Sequence, residues 1–365
     1  MHLRPSQWSF HNVDKLIKTG TIGKSTTPTP LHEARDERID ALKVPLAEGQ
    51  SLDVKSLLQA SHTDGLVVLS HGKLVYEYYD HGNTASSKHI LMSVSKSMTG
   101  LILGAMVAKG QLQVDEKVTR YMPELEKTAF APATVRHLLD MRGGIKYPDN
   151  SHEYRMAAGW NPAAAGEKQL DLPTFFSTFN PPDTDAPPAG FVYASVSTDL
   201  IGLLLERVSG KSYAELAHEL LWQPAGAECD AQITLDSSGN PRAAGGMCAS
   251  VRDVARVGQA LLEGKLASKE WIADMLSGGD TAVFAESAWG PIFEAFSSSL
   301  AYRSYWIASG EEQLLVALGI HGQMLLVDLK NEIVMAKTSS QPDFFDPKAA
   351  GLAFRLFRTL QHVLK

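Results

Sequence analysis

Apolar and polar positions follow two different periods along the chain, and the changes of period mark its elements. Within DGLVVLSHGKLVYEYYDHG, residues 66–70 and 73–79 are β-rich runs joined by His71-Gly72, a hairpin signal. From Met92 to Lys109 the period becomes 3.6, with Met98, Leu101, Ile102, Ala105 and Met106 on one face and Gly110 as the stop. The middle of the chain, about 110–240, reads as helical segments (TVRHLLDM, LPTFFSTF, STDLIGLLLERVSG, YAELAHELLW) separated by long polar loops. One of these loops, NPPDTDAPPAG at 180–190, is Pro-rich and leads into FVYAS. Strands return as EQLLVALGI, QMLLVDL and EIVMAKTS, spaced as an antiparallel meander, before a closing helix over about 347–363. Residues 1–50 carry Pro28, Pro30 and Pro45 with little periodicity and read as a surface-wrapping extension, followed by a helix near 51–60. Strands at both ends with helices between predict an α+β fold. Its expected organisation is a discontinuous sheet domain (51–110 and 241–365) interrupted by a helical domain (111–240).

Composition narrows the function classes. At 365 residues and 44% hydrophobic, the chain can bury a large core in one domain or two interleaved ones. A net charge of −7, with no block of five like charges, gives no electrostatic reason to bind nucleic acid or an anionic membrane. A small neutral or cationic substrate is expected. Cys229 and Cys248 lack disulfide-framework or zinc-ligand spacing, so neither a disulfide framework nor a zinc site is indicated, and no metal or cofactor is expected. The N-terminal MHLRPSQWSFHNVDK has no apolar core or small-residue cleavage site, and LILGAMVA is too short to span a bilayer, so a cytoplasmic protein is expected.

Candidate chemistry enters through Ser-x-x-Lys, a weak pattern of which roughly one or two chance matches are expected in a chain this long. There are two. Ser70-His71-Gly72-Lys73 spans the hairpin turn, where residues three apart are expected not to share a face. Ser93-Val94-Ser95-Lys96 lies in the first turn of a helix, where i and i+3 are neighbours. A serine hydroxyl becomes a useful nucleophile only with a base in hydrogen-bond reach, and a neutral lysine amine can serve. Its ordinary pKa of about 10.4 must then be lowered, by burial or by a second cation. The helix start also offers oriented N–H groups to a developing anion. The competing role for Ser93, Ser95 or Ser97 is a plain helix cap.

The stretch LMSVSKSMTGLILGAMVAKGQLQVDEKVTRYMPEL resembles serine hydrolases related to class C β-lactamases and D-Ala-D-Ala peptidases. Four further blocks follow in that family's order: TVRHLLDMRGGI, GFVYASVSTDLIGLLLERVSG, GGMCASVRDVARVGQALL and LGIHGQMLLVDLKNEIVMAK, so that the resemblance covers residues 65–360. Within the family, KHILMSVSKS, VYASVSTD and GIHGQ look most like the 6-aminohexanoate-dimer hydrolases, which cleave linear amides and also act on esters. The resemblance implies a β-lactamase/penicillin-binding-protein-like antiparallel sheet flanked by helices, with a mostly helical insert. It implies Ser93 as the acylated nucleophile, Lys96 as its partner and Tyr193 as a proton-exchanging group whose phenolate Lys96 would stabilise. The oxyanion donors it implies are the backbone N–H groups of Ser93 and Ile320.

Departures from the family pattern refine the substrate. Ser195 stands where β-lactamases have Asn, and Ala317-Leu318-Gly319-Ile320 replaces the Lys-Thr-Gly strand, so the lysine that grips a β-lactam or stem-peptide carboxylate is missing. Both favour short amides and esters over the alternative reading, a β-lactamase or D-Ala-D-Ala carboxypeptidase. A non-catalytic binding protein on the same scaffold is the third reading. The resemblance also implies rim residues: Trp306 against substrate, the stretch Tyr147 to Trp160 as a flexible closing loop, and an acidic group for a substrate amine that falls at or near Arg155, with Glu153 as its substitute. His321 is open between a base and a support of the strand. The expected partner is a small amide or ester, with a homodimer as the assembly to test.

Overall fold

A computed structural model describes residues 5–46, 49–181, 190–294 and 296–365. Its main sheet has eight strands in the order Ala301–Arg303, Trp306–Ser309, Leu314–Gly319, Gln323–Asp328, Ile333–Ser339, Thr63–Ser70, Lys73–Tyr79 and His32–Glu33. All neighbours are antiparallel except the last pair, which is parallel. The two chain-distant sets of strands therefore meet in the middle of one sheet, where Thr63–Ser70 pairs with Ile333–Ser339. Every residue of Thr63–Ser70, Gln323–Asp328 and Ile333–Ser339 is buried. Strands covered on both faces need apolar side chains on both, which is why these segments read as near-continuous hydrophobic runs rather than alternations.

A second sheet has the order Thr19–Ile22, Ala231–Thr234, Met247–Ser250, Lys88–Ile90. The N-terminal region is thus built into the fold rather than wrapped over it, donating Thr19–Ile22 to this sheet and His32–Glu33 to the main one. One strand of the second sheet, Ala231–Thr234, comes from the stretch expected to be helical. The Pro-rich 182–189 portion of the predicted loop lies outside the described residues.

The helix following Lys88–Ile90 runs from Val94 to Ala108 and is buried at every position from Val94 to Gly104. A single apolar face was the expectation; instead the helix is enclosed between the Leu314–Gly319 and Gln323–Asp328 strands and the Ser195–Ser209 helix. Its polar side chains then need internal partners. Ser97 Oγ donates to the Tyr305 carbonyl at 2.7 Å, Ser95 Oγ accepts the Met247 N–H at 3.1 Å, and Thr99 Oγ1 meets Tyr213 Oη at 2.8 Å.

The hairpin carries a correction of its own. Ser70 and Lys73 are direct cross-strand partners around a two-residue turn, with φ of +48° at His71 and +73° at Gly72. Directly opposed residues of an antiparallel pair do share a face of the sheet.

Candidate active site

Ser93 stands at the joint between the Lys88–Ile90 strand and the Val94–Ala108 helix. The preceding Met92 has φ of +48°, a left-handed conformation that costs energy for a residue with a side chain and is held by its surroundings. Ser93 occupies the capping position, yet its side chain caps nothing. Its Oγ is instead 2.9 Å from Lys96 Nζ, and the same Nζ donates to the Ala244 carbonyl at 2.8 Å. A neutral amine carries two N–H groups and one lone pair. With one N–H committed to Ala244, the lone pair is free to face the Ser93 hydroxyl.

Lys96 is 1% exposed. Its pKa is lowered to about 7, chiefly by burial and also by the Arg242 cation, while Asp149 and Asp199 act in the opposite sense. Relative to a lysine in water this is about 5 kcal/mol against the ammonium. Desolvation therefore outweighs both nearby carboxylates.

Tyr193 enters from just ahead of the Ser195–Ser209 helix, and its ring lies 4.8 Å below Lys96 Nζ. Burial raises its phenol above the ordinary value, and the hydrogen bond with Ser93 pulls the other way. Both directions run against the expected phenolate stabilised by Lys96. A lysine driven toward its neutral form offers less charge to a phenolate, and the same burial penalises both ions. Of the two groups beside Ser93, burial thus favours the neutral amine at Lys96 and the protonated phenol at Tyr193.

The far side of the site is the end of the Leu314–Gly319 strand. A Cβ added at Gly319 would lie 2.7 Å from the Leu91 carbonyl oxygen and 3.0 Å from Met92 Cβ. Only glycine permits this approach, and it brings the adjoining Ile320 backbone beside the residues that lead into Ser93. Ile320 and Ser93 both line a cavity of about 280 Å³, together with Tyr193, Ser195, Asp149 and Trp289.

Several residues that position this site were not singled out in the sequence. Asp149 accepts both the Ser195 N–H at 2.9 Å and the Ser195 hydroxyl at 2.6 Å, fixing the chain just after Tyr193. Arg242 is buried against Asp199 and the Tyr154 hydroxyl, with its guanidinium 4.4 Å from the Tyr154 ring and 5.3 Å from that of Trp160. Asp199 Oδ1 accepts the Ala244 N–H at 2.8 Å, so the carbonyl that holds Lys96 is itself held by the Arg242 pair. Trp289 packs 4.7 Å from the Tyr193 ring.

The rim residues divide differently from expectation. Trp306 is fully buried within the main sheet and is absent from the cavity wall; its strand is covered on both faces, so it is a core residue. Tyr147 packs into an aromatic cluster, 5.2 Å from both Phe175 and Phe179, rather than onto the cavity. Glu153 points to solvent and does not line the cavity, whereas Arg155 does. The stretch expected to be flexible is pinned: it contains the His152–Ala157 helix capped by Ser151, buries Tyr154, and ties Trp160 Nε1 to Thr234 at 3.0 Å. His321, at φ +60°, donates from Nδ1 to the Gln341 carbonyl at 2.7 Å and lies between the Phe10 and Phe344 rings. Burial lowers its pKa, and it braces the turn after the strand rather than facing the cavity.

Among the described residues, side chains of metal-ligating type cluster elsewhere, where donor atoms of His11, Asp64 and His89 lie within 4.8 Å of one another. Asp64 already accepts His81, His89 and Ser340, and this network does not border the cavity. Among the described residues, no helix is long and apolar enough to cross a membrane.

The antiparallel sheet, its helical cover and the serine-bearing cavity place the protein in a class: it is a serine hydrolase of the β-lactamase type. The chain belongs to the β-lactamase family, whose pattern matches residues 54–356. It is 31% identical over 351 residues to the 6-aminohexanoate-dimer hydrolase of Paenarthrobacter ureafaciens, a match covering 93% of this chain and 86% of that one. It is similar over a shorter span to the esterase EstB of Burkholderia gladioli, 29% identical over 154 residues, 37% of this chain and 36% of the other. In structure it matches a Bacillus anthracis protein provisionally named a 6-aminohexanoate-dimer hydrolase, with a TM-score of 0.84, 25% identity, and 98% and 94% of the two chains covered.

Proposed function

We propose that this protein hydrolyses short carboxylic amides or esters through an acyl-enzyme on Ser93. The observation that carries the proposal is the buried amine of Lys96, 2.9 Å from Ser93 Oγ with a pKa of about 7. In the first step Ser93 Oγ bonds to the substrate carbonyl carbon, its proton passes to the Lys96 lone pair, and the carbonyl π pair moves onto oxygen. The backbone N–H groups of Ser93 and Ile320 receive that oxyanion. Collapse re-forms the carbonyl and expels the amine or alcohol, which takes a proton from the Lys96 ammonium, with the Tyr193 hydroxyl as the bridge. Water then attacks the acyl-enzyme by the same route, and the carboxylic acid leaves. Similarity to an amide hydrolase and an esterase supports the substrate class.

Replacing Ser93 by Ala should lower hydrolysis of a p-nitrophenyl ester at least about a thousandfold. Undiminished turnover by Ser93→Ala would sink the assignment.

A further inference from the structure

We propose that Arg155 is an anion-recognition residue, so that the preferred substrates carry a carboxylate a few bonds from the scissile amide or ester. This deepens the acyl-enzyme reading and rests on it.

The cavity wall includes four ionised side chains: Asp149, Arg155, Arg242 and Asp346. Three have their charge engaged by the protein. Asp149 holds Ser195, Arg242 is buried against Asp199, and Asp346 accepts the N–H groups of Lys348 and Ala349 at the start of the closing helix. Arg155 differs. Among the described residues its guanidinium makes no hydrogen bond or ion pair; its contact is with the face of Phe344, 5.5 Å away. Phe344 and Phe345, 51% and 43% exposed, form an apolar lip at the same wall.

A guanidinium laid on an aromatic face loses rotational freedom and keeps its edge donors available for a planar, two-oxygen acceptor. The backbone beneath is fixed as well, since the Arg155 carbonyl accepts the N–H groups of Trp160 at 2.8 Å and Asn161 at 3.1 Å. Position relative to the chemistry follows from Phe344, whose carbonyl accepts the N–H of His321, the residue after the proposed oxyanion donor Ile320. A cation there repels a substrate ammonium and attracts a carboxylate. The net charge of −7 suggested neutral or cationic substrates, whereas the charge of the cavity wall not engaged by other protein groups is the Arg155 cation.

The test uses p-nitrophenyl hemiesters of succinic, glutaric and adipic acid, their neutral methyl-capped counterparts and ammonium-ended homologues. N-acetyl amides of ω-amino acids, with their methyl esters, place the carboxylate on the leaving side. The readout is the ratio of kcat/KM for carboxylate over neutral partner. For the best chain length the parent protein should show a ratio of about 10 to 100, the range of a charge-assisted hydrogen bond. Arg155→Gln should bring the ratio near one, mainly through KM, and Arg155→Glu should shift preference to the ammonium series. A ratio that is equal in the parent protein and Arg155→Gln, on both sides of the scissile bond, overturns the inference. Ser93→Ala in the same assay separates the two levels. If it is inactive while the ratio ignores Arg155, only anion recognition fails; if it remains active, the acyl-enzyme reading fails first.

Discussion

The chain contains Ser-x-x-Lys twice, in two settings that differ in one decisive respect. At the hairpin, Ser70 and Lys73 oppose each other across a two-residue turn, and Lys73 is exposed. At the helix start, Ser93 and Lys96 are neighbours by helix geometry, and Lys96 is 1% exposed. Both pairs share a face, so adjacency does not separate them. The Lys73 amine lies open to water at the first site, whereas at the second the charged form of Lys96 loses its hydration and meets Arg242 as well. Spacing makes two groups neighbours; burial shifts one of them toward its neutral, proton-accepting form.

The sharpest way to break this comparison is to remove the buried amine. Lys96→Met keeps most of the buried volume and should cost about 10³-fold or more in kcat/KM for an ester substrate, with the protein still folded by circular dichroism. In the parent protein only the neutral amine accepts the Ser93 proton, so kcat/KM should rise with pH through a midpoint near 7. A profile flat from pH 5 to 9 contradicts Lys96 as base.

A finer probe shifts the base without removing it. The Asp149 charge raises the Lys96 pKa. Asp149→Asn should therefore move the midpoint to lower pH, and should reduce kcat about tenfold because Ser195 loses its charged acceptor. An upward movement would contradict the electrostatic account. The smallest effect belongs to the hairpin copy: Ser70→Ala combined with Lys73→Ala should leave ester turnover within about twofold, and a large loss there would mean that adjacency alone suffices.

Much of the fold was legible in the sequence because it rests on local rules. The His71-Gly72 turn, the three-strand meander and the closing helix each follow from period and turn chemistry within a dozen residues. Ser93 and Lys96 were legible for the same reason. Asp149 and Arg242 were not, because their partners Ser195 and Asp199 lie 46 and 43 positions away and a lone Asp in a polar loop carries no spacing signal. The Lys96–Ala244 contact spans 148 positions, so the burial that tunes the amine was equally invisible. Trp306 misled for the converse reason: an aromatic on a strand reads alike whether it lines a pocket or fills a core.

The pairing of Ser70 with Ile333 in the main sheet has a consequence for biosynthesis. At ~5–20 residues per second, the hairpin leaves the ribosome on the order of 10 to 50 s before its neighbouring strand is made. Through that interval one edge of a strand that is wholly buried in the finished fold stays unpaired, and such edges invite association with other chains. The strand ending in Gly319 arrives equally late. Nascent chains released before it are expected to hold Ser93 and Lys96 without the wall that completes their site, a built-in delay between synthesis and activity.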